Sequence, residues 1–160
     1  MASEKLKFKI ELYSTHWDKA PGAEIFVNNK SFYKDKITGT EKNPTLIEFE
    51  EQLEEGQKYN FTIKRTGKDP TQTILDNDNK IIKDQLLHIK SIEIDEINIG
   101  SLVYEGVYAP EYPEPWYSQQ VQKGQTPDKS IKNVTAMGHN GTWTLVFESP
   151  FYMWVLENLY

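Results

Sequence analysis

The 160-residue chain contains no cysteine, which excludes disulfides, thiolate metal sites and thiol catalysis. Long apolar runs are also missing. Nothing approaches the 18 residues that would read as a membrane-crossing helix. The opening segment Met1–Leu12 (MASEKLKFKIEL) has no apolar h-region, so the expectation is a chain without a secretion signal and without membrane insertion. Positive charge is short: 18 Lys and Arg stand against 24 Asp and Glu, a net charge of −6. A duplex-binding protein needs a concentrated positive field, and this balance argues against nucleic acid as a partner. Reaction motifs are absent as well. There is no Gly-x-Ser-x-Gly elbow, Walker loop or dinucleotide fingerprint, and the three histidines, His16, His88 and His139, have no metal-like spacing. The expectation is a non-enzyme. Aromatics, by contrast, are plentiful, with nine Tyr, seven Phe and four Trp, enough to build a core.

Wherever a period can be read, it is two. Leu6, Phe8, Ile10 and Leu12 alternate with Lys5, Lys7, Lys9 and Glu11. Ile25 and Val27 run into the turn signal Asn28-Asn29, with Phe32 on the return. Leu46–Glu50 is a short extended piece. After the turn Glu54-Glu55-Gly56, the residues Tyr59, Phe61 and Ile63 alternate with polar neighbours. From Leu86 to Leu102 the apolar parity switches at Ser91 and again after Asp95-Glu96. A strand that exchanges its buried face must bulge or break, because a one-residue slip inverts every side chain. Asn140-Gly141, between the extended runs ending at Met137 and starting at Trp143, predicts a hairpin. The apolar run Phe151–Leu156 suits either a strand or a helical turn, and Glu48–Glu55 is the sole helix-like stretch before it. Segments 104–125, rich in Pro, Tyr and Gln, read as a long ordered loop. Short strands with turns every few residues and scattered Gly and Pro predict an all-β fold, a single-domain β-sandwich of jelly-roll type over 1–160.

Two loops and one acidic turn carry candidate chemistry. His16-Trp17-Asp18-Lys19 places a Trp between two strands. Tyr108–Tyr117 (YAPEYPEPWY) places Tyr112, Trp116 and Tyr117 among prolines and acids. Flat aromatic faces beside Asp, Glu, Asn and Gln suit sugars, whose axial hydrogens stack on rings while hydroxyls pair with polar groups. The same residues suit a protein interface, and Trp116 also suits a plug at one end of the core. Trp17, Asp18, Tyr112, Trp116 and Tyr117 are therefore the candidate ligand-binding set. The turn Asp76-Asn77-Asp78-Asn79-Lys80 opens like a calcium loop. An EF-hand needs Gly at its sixth position and Glu at its twelfth, where this chain has Ile81 and Leu87, so that motif is rejected. A calcium site of another kind would draw on Asp76, Asp78 and Asp84; the alternative is a solvated Asx-rich turn.

The order of segments resembles a known family. It comprises the strand Phe8–Leu12 (FKIEL), an aromatic loop, the run Ala23–Asn28 (AEIFVN), a turn Leu53–Gly56 (LEEG) into Tyr59–Ile63 (YNFTI), and Asp84–Ile97 (DQLLHIKSIEIDEI). Over roughly residues 6–100 this layout is similar to calcium-dependent xylan-binding carbohydrate-binding modules, which are small β-sandwiches. The resemblance implies glycan binding without catalysis, and calcium held near the late strand, with Asp84 and Asp78 matching in position and type. The whole chain, including Pro110–Trp116 (PEYPEPW), Gly138–Gly141 (GHNG) and Ser149–Tyr152 (SPFY), also resembles small virion-associated proteins of T4-like phages of marine cyanobacteria. That second likeness implies a phage structural or accessory protein used in adhesion or assembly and located in the virion. The alternative is a purely structural virion subunit, a capsid decoration or tail-associated protein. Its partners would then be other virion proteins or further copies of itself.

Overall fold

The computed structural model describes residues 2–159. The strands are β1 (Ser3–Thr15), β2 (Gly22–Val27), β3 (Lys30–Lys36), β4 (Thr45–Glu54), β5 (Lys58–Thr66), β6 (Ile74–Leu75), β7 (Ile81–Lys83), β8 (Leu86–Ile94), β9 (Ile97–Asn98), β10 (Val107–Pro110), β11 (Ile131–Lys132), β12 (Ala136–Met137) and β13 (Gly141–Glu148). Two short α-helices follow the pattern, α1 (Trp116–Gln122) and α2 (Phe151–Leu159). One sheet has the order β12-β8-β1-β4, with β9 beside β8; the other runs β11-β10-β13-β5-β2-β3. All pairings within them are antiparallel. Leu6, Phe8, Ile10 and Leu12 of the first sheet face Ile25, Val27, Phe61, Ile63, Trp143, Leu145 and Phe147 of the second, all buried in one core. This is the β-sandwich that the period-two pattern implies.

The parity switches resolve into two devices. Glu11 pairs with Ser91 but Leu12 pairs with Ile89, so Lys90 is the extra residue of a bulge, and β8 buries Leu87 and Ile89 on one side of it and Ile92 and Ile94 on the other. Asp95 and Glu96 then turn the chain with φ of 53° and 66°, the positive pair that a two-residue hairpin turn requires.

Three expectations are corrected, and the choice left open from Phe151, strand or helical turn, is resolved. Glu48–Glu55 is not helical, because β4 runs through to Glu54. The run from Phe151 is a helix. Segments 104–125 are not one loop: they contain β10, which lies between β11 and β13 inside the second sheet, and α1. Asn140-Gly141 does not close a hairpin. β12 pairs with β8 in the first sheet, whereas β13 pairs with β5 and β10 in the second. The dipeptide is the corner where the chain changes sheets, and the physical reason is the occupation of the Asn140 side chain described below.

Register places the connections at two ends. Thr15 meets Leu86, Gly22 meets Lys36 and Thr66, Leu12 meets Thr45, and Gly141 meets both Arg65 and Pro110. The segments 16–21, 37–44, 67–85, 111–130 and 138–140 therefore all emerge at the same end. The opposite end carries the turns at 28–29, 55–57 and 95–96, and α2.

Candidate binding site

The loop end rests on a buried polar layer. Phe61 and Ile63 point inward, and the same alternation drives Arg65 inward, where it is fully buried. Its Nη1 donates to Asn140 Oδ1 at 2.9 Å and its Nη2 to the Gln85 carbonyl at 2.7 Å. Asn140 Oδ1 also accepts from the Lys68 backbone N–H at 3.0 Å, and its Nδ2 donates to the Lys68 carbonyl at 3.0 Å. These bonds fix the corner at 138–140 against the 67–85 loop. Burial lowers the Arg65 pKa to about 10. The buried amides Gln72 and Gln85 extend the layer: Gln85 Nε2 donates to the Lys19 carbonyl at 2.9 Å, and Gln72 Nε2 to Asp18 Oδ2 at 3.2 Å.

Above this layer stand the aromatics. Tyr112 is the hub, with ring centroids 5.6 Å from Trp116, 5.9 Å from Tyr117 and 5.1 Å from His139. Trp116 also meets His139 at 5.8 Å. The Tyr112 hydroxyl donates to the Asp128 carbonyl, tying the return of the loop to the cluster. Burial, and then the Asp128 charge, push the Tyr112 pKa up. His139 is held below its usual value by burial and by the Lys68 cation. A cleft of about 240 Å³ opens between Pro110, Tyr112, Tyr117 and Lys129. Trp116 is 39% exposed. It is not a core plug; Trp143, with no exposed surface, fills the sandwich instead.

Trp17 stands at the same end but outside the cluster. Its Nε1 donates to the Gln72 carbonyl at 2.9 Å, and Lys83 Nζ lies 4.6 Å from the ring centroid. The indole is pinned in one orientation yet 44% exposed. The Trp17 loop leads into β2 and the Tyr112 segment leaves β10, three strand spacings away, about 14 Å at the usual separation. The structure thus brings Tyr112, Trp116 and Tyr117 together, and sets Trp17 and Asp18 apart from them. His139 was missing from the sequence-based set, because nothing in its spacing distinguishes it from the other two histidines.

The three aspartates do not assemble a calcium site. Asp76 Oδ1 accepts from the backbone N–H groups of Asp78 at 2.8 Å and Lys80 at 2.9 Å, which makes it the anchor of an Asx turn. Asp84 Oδ1 accepts from Lys68 Nζ at 3.0 Å, Thr73 Oγ1 at 2.7 Å and the Gln85 N–H at 2.8 Å. Those bonds outweigh its burial and hold its pKa below the usual carboxylate range. Among the described residues no three His, Asp or Glu side chains gather as a metal-binding group. Calcium takes six to eight oxygen ligands, and an aspartate neutralised by an ammonium does not fit that set.

No family model matches the chain, and no curated protein matches it. Its layout is similar to a solved structure, the selenomethionine form of vCBM60, described with a circular permutation linking two families of calcium-dependent carbohydrate-binding modules. The TM-score is 0.49 at 6% identity, over 87% of this chain and 88% of that one.

Proposed function

We propose that the chain is a non-enzymatic glycan-binding β-sandwich that takes its ligand at the loop end. One observation supports this above others: Tyr112, Trp116 and Tyr117 are gathered on a rigid base beside an open cleft, rather than spent in the core. Binding sites for small polar ligands pair apolar or aromatic walls with a few placed polar groups. Here the cleft walls are Tyr112, Tyr117 and Pro110, with Trp116 beside Tyr112 at their edge, and the polar groups are Lys129 and the neighbouring Glu111, Glu114 and Asp128. The sugar ring stacks on the tyrosine and tryptophan faces while its hydroxyls meet the charged rim.

The test is a glycan array with the purified protein, followed by Trp116→Ala. Removing a stacking Trp costs roughly 2 kcal/mol, about thirtyfold in affinity. The melting midpoint should barely move, because Trp116 lies outside the core. Absence of any glycan ligand, or full binding by Trp116→Ala, would overturn the reading.

A protein-docking reading has its own support. The β6–β7 hairpin beside Trp17 exposes Leu75, Ile81 and Ile82 at 49%, 60% and 59%. Apolar patches of this kind mark protein contacts. The finer role, a virion adhesion or assembly protein, rests on the sequence resemblance alone. Mass spectrometry of purified particles tests it, and consistent absence from particles would remove it.

A further inference from the structure

The strands β4 and β3 each form one edge of their sheet, and the contacts between them put these two edges on the same side of the sandwich. Lys30 Nζ reaches Glu51 at 3.2 Å, and the Phe32 and Phe49 rings stack at 4.3 Å across the gap. The two edges differ in charge. On its solvent face β4 carries Glu48, Glu50 and Glu54, while β3 carries Lys34 and Lys36 opposite Glu24 and Gly22 of β2. All of these edge side chains are exposed. Glu50 already holds Lys5 at 3.0 Å, but Glu48, Lys34 and Lys36 have no ion-pair partner among the described residues.

The openness of the edges is also uneven along their length. The β1–β4 ladder is unbroken over ten residue pairs, so backbone groups alternate strictly between the β1 side and the free side. On the free side, the Gln52 N–H is covered by the Glu51 carboxylate at 3.0 Å and the Glu54 N–H by the Tyr59 hydroxyl at 2.8 Å. By the same alternation, the N–H groups of Leu46, Glu48 and Glu50 face outward with no such cover. β3 is irregular at Phe32, where its register with β2 shifts, and regular from Tyr33 to Lys36. The contacts 30 to 51 and 32 to 49 put this regular stretch level with Leu46–Glu48, so the pairable half of each edge lies at the loop end.

From this the geometry points to a two-fold dimer of the chain through these edges. The two-fold axis runs parallel to the strands. Rotation about it lays β4 of one copy beside β3 of its partner in one continuous sheet, and repeats the pairing in the other sheet. β3 ends and β4 begins at the loop end, so each new pair is antiparallel. The height along the axis is kept, so Glu48 on one strand comes within about one residue of Lys34 on the other, on the same solvent face, with Lys36 beyond that pair toward the loop end and Glu50 beyond it toward the helix end. Pairing of like edges, β3 with β3 or β4 with β4, sets lysines against lysines or glutamates against glutamates and is disfavoured. An isologous interface uses one patch twice, and strand addition supplies its hydrogen bonds. This proposal is independent of the glycan reading.

Sedimentation equilibrium tests it. The wild-type chain should be a dimer at micromolar concentration and low salt, weakening as salt screens the exposed charges. Glu48→Lys/Glu50→Lys and Lys34→Glu/Lys36→Glu should each weaken association about tenfold or more while keeping the wild-type β spectrum. Mixed one to one, they should pair again, since the new basic β4 then meets the new acidic β3 and the two unchanged edges meet each other. A wild-type monomer at all concentrations, or folded variants that associate like wild type, would overturn the dimer. Variants that dissociate without recovering on mixing would overturn this edge pairing.

Discussion

The two ends of the sandwich are closed by opposite chemistry. At the helix end, Phe147, Phe151 and Trp154 pack ring against ring at 5.8–6.3 Å, with Val155 beside them. The Glu4 carboxylate accepts the Phe151 N–H at 2.8 Å and the Ser149 hydroxyl, which satisfies the exposed start of α2. That end is an apolar plug held by one anchor. The loop end is closed instead by Arg65, Gln72, Gln85 and Asn140, all hydrogen-bonded to loop backbone. Apolar packing is non-directional, so it can seal an end without fixing loops. Directional bonds from buried amides and a guanidinium hold several loops in set positions. The end built that way is the one that gathers Tyr112, Trp116 and Tyr117 beside an open cleft.

Breaking the plug should have the largest effect. Trp154→Ala removes a side chain left only 9% exposed and should cost about 3–5 kcal/mol of folding free energy. Truncation before Phe151 removes Trp154, Phe151 and Val155 together and should yield an aggregating or unfolded chain. Chemical denaturation checks the first and sedimentation the second. A truncated protein that melts like wild type would show that the core closes without α2.

The polar end should yield less on a single change. Asn140→Ala deletes the acceptor shared by Arg65 and the Lys68 N–H. A hydrogen bond to a charged group is worth about 1.5–3 kcal/mol, and the loss should fall in that range in denaturant titration. Because the same bonds hold the corner next to His139, glycan binding should drop with it. A change within error would mean that the layer is incidental to the loops.

Which of these features the sequence reveals follows from how local each one is. Alternation is local, so β1, β5 and β13 can be read directly, as can the parity switch at Ser91, which the structure resolves as a bulge at the preceding Lys90. Arg65 had a usable signal too, since it shares the inward parity of Phe61 and Ile63, and a charge at a core position marks a site that needs partners. Sheet assignment is not local. Asn140-Gly141 has the chemistry of a tight turn, but nothing nearby tells that its flanks belong to different sheets. β10 was hidden among prolines, yet it pairs with β13, and a Cβ on Gly106 just before it would lie 2.2 Å from the Trp143 ring. Of the proposed binding residues, Tyr112, Trp116 and Tyr117 come together because they are close in the chain. Trp17 lies apart because its partner, Gln72, is 55 positions away.

Acid should sharpen the contrast between the ends. Asp84 is the carboxylate of the polar layer, and its hydrogen bonds from Thr73, Gln85 and Lys68 keep it ionised below the usual range. A carboxyl whose folded pKa is depressed adds stability above its ordinary value, near 3.9. That contribution is lost as pH falls from there through the folded value. Asp84→Asn should therefore melt below wild type at pH 7, and the gap should narrow as pH drops through this window. A gap that stays constant with pH would show that the Asp84 charge has no part in it.

The smallest effect is expected from calcium, and it bears on the same end. A ligand that binds only the folded state raises its stability by about 2.7 kcal/mol at a hundred times its dissociation constant, so in millimolar calcium a site with a dissociation constant of about ten micromolar would register clearly in a melt. The arrangement of Asp76, Asp78 and Asp84 provides no such site: one is spent on its own turn and one is paired with Lys68. The melting midpoint should be the same in millimolar calcium and in chelator. A rise with calcium that Asp84→Asn abolishes would mean that Lys68 swings away to admit the ion. The polar layer would then be a metal-responsive device and not a fixed support for the aromatic rings.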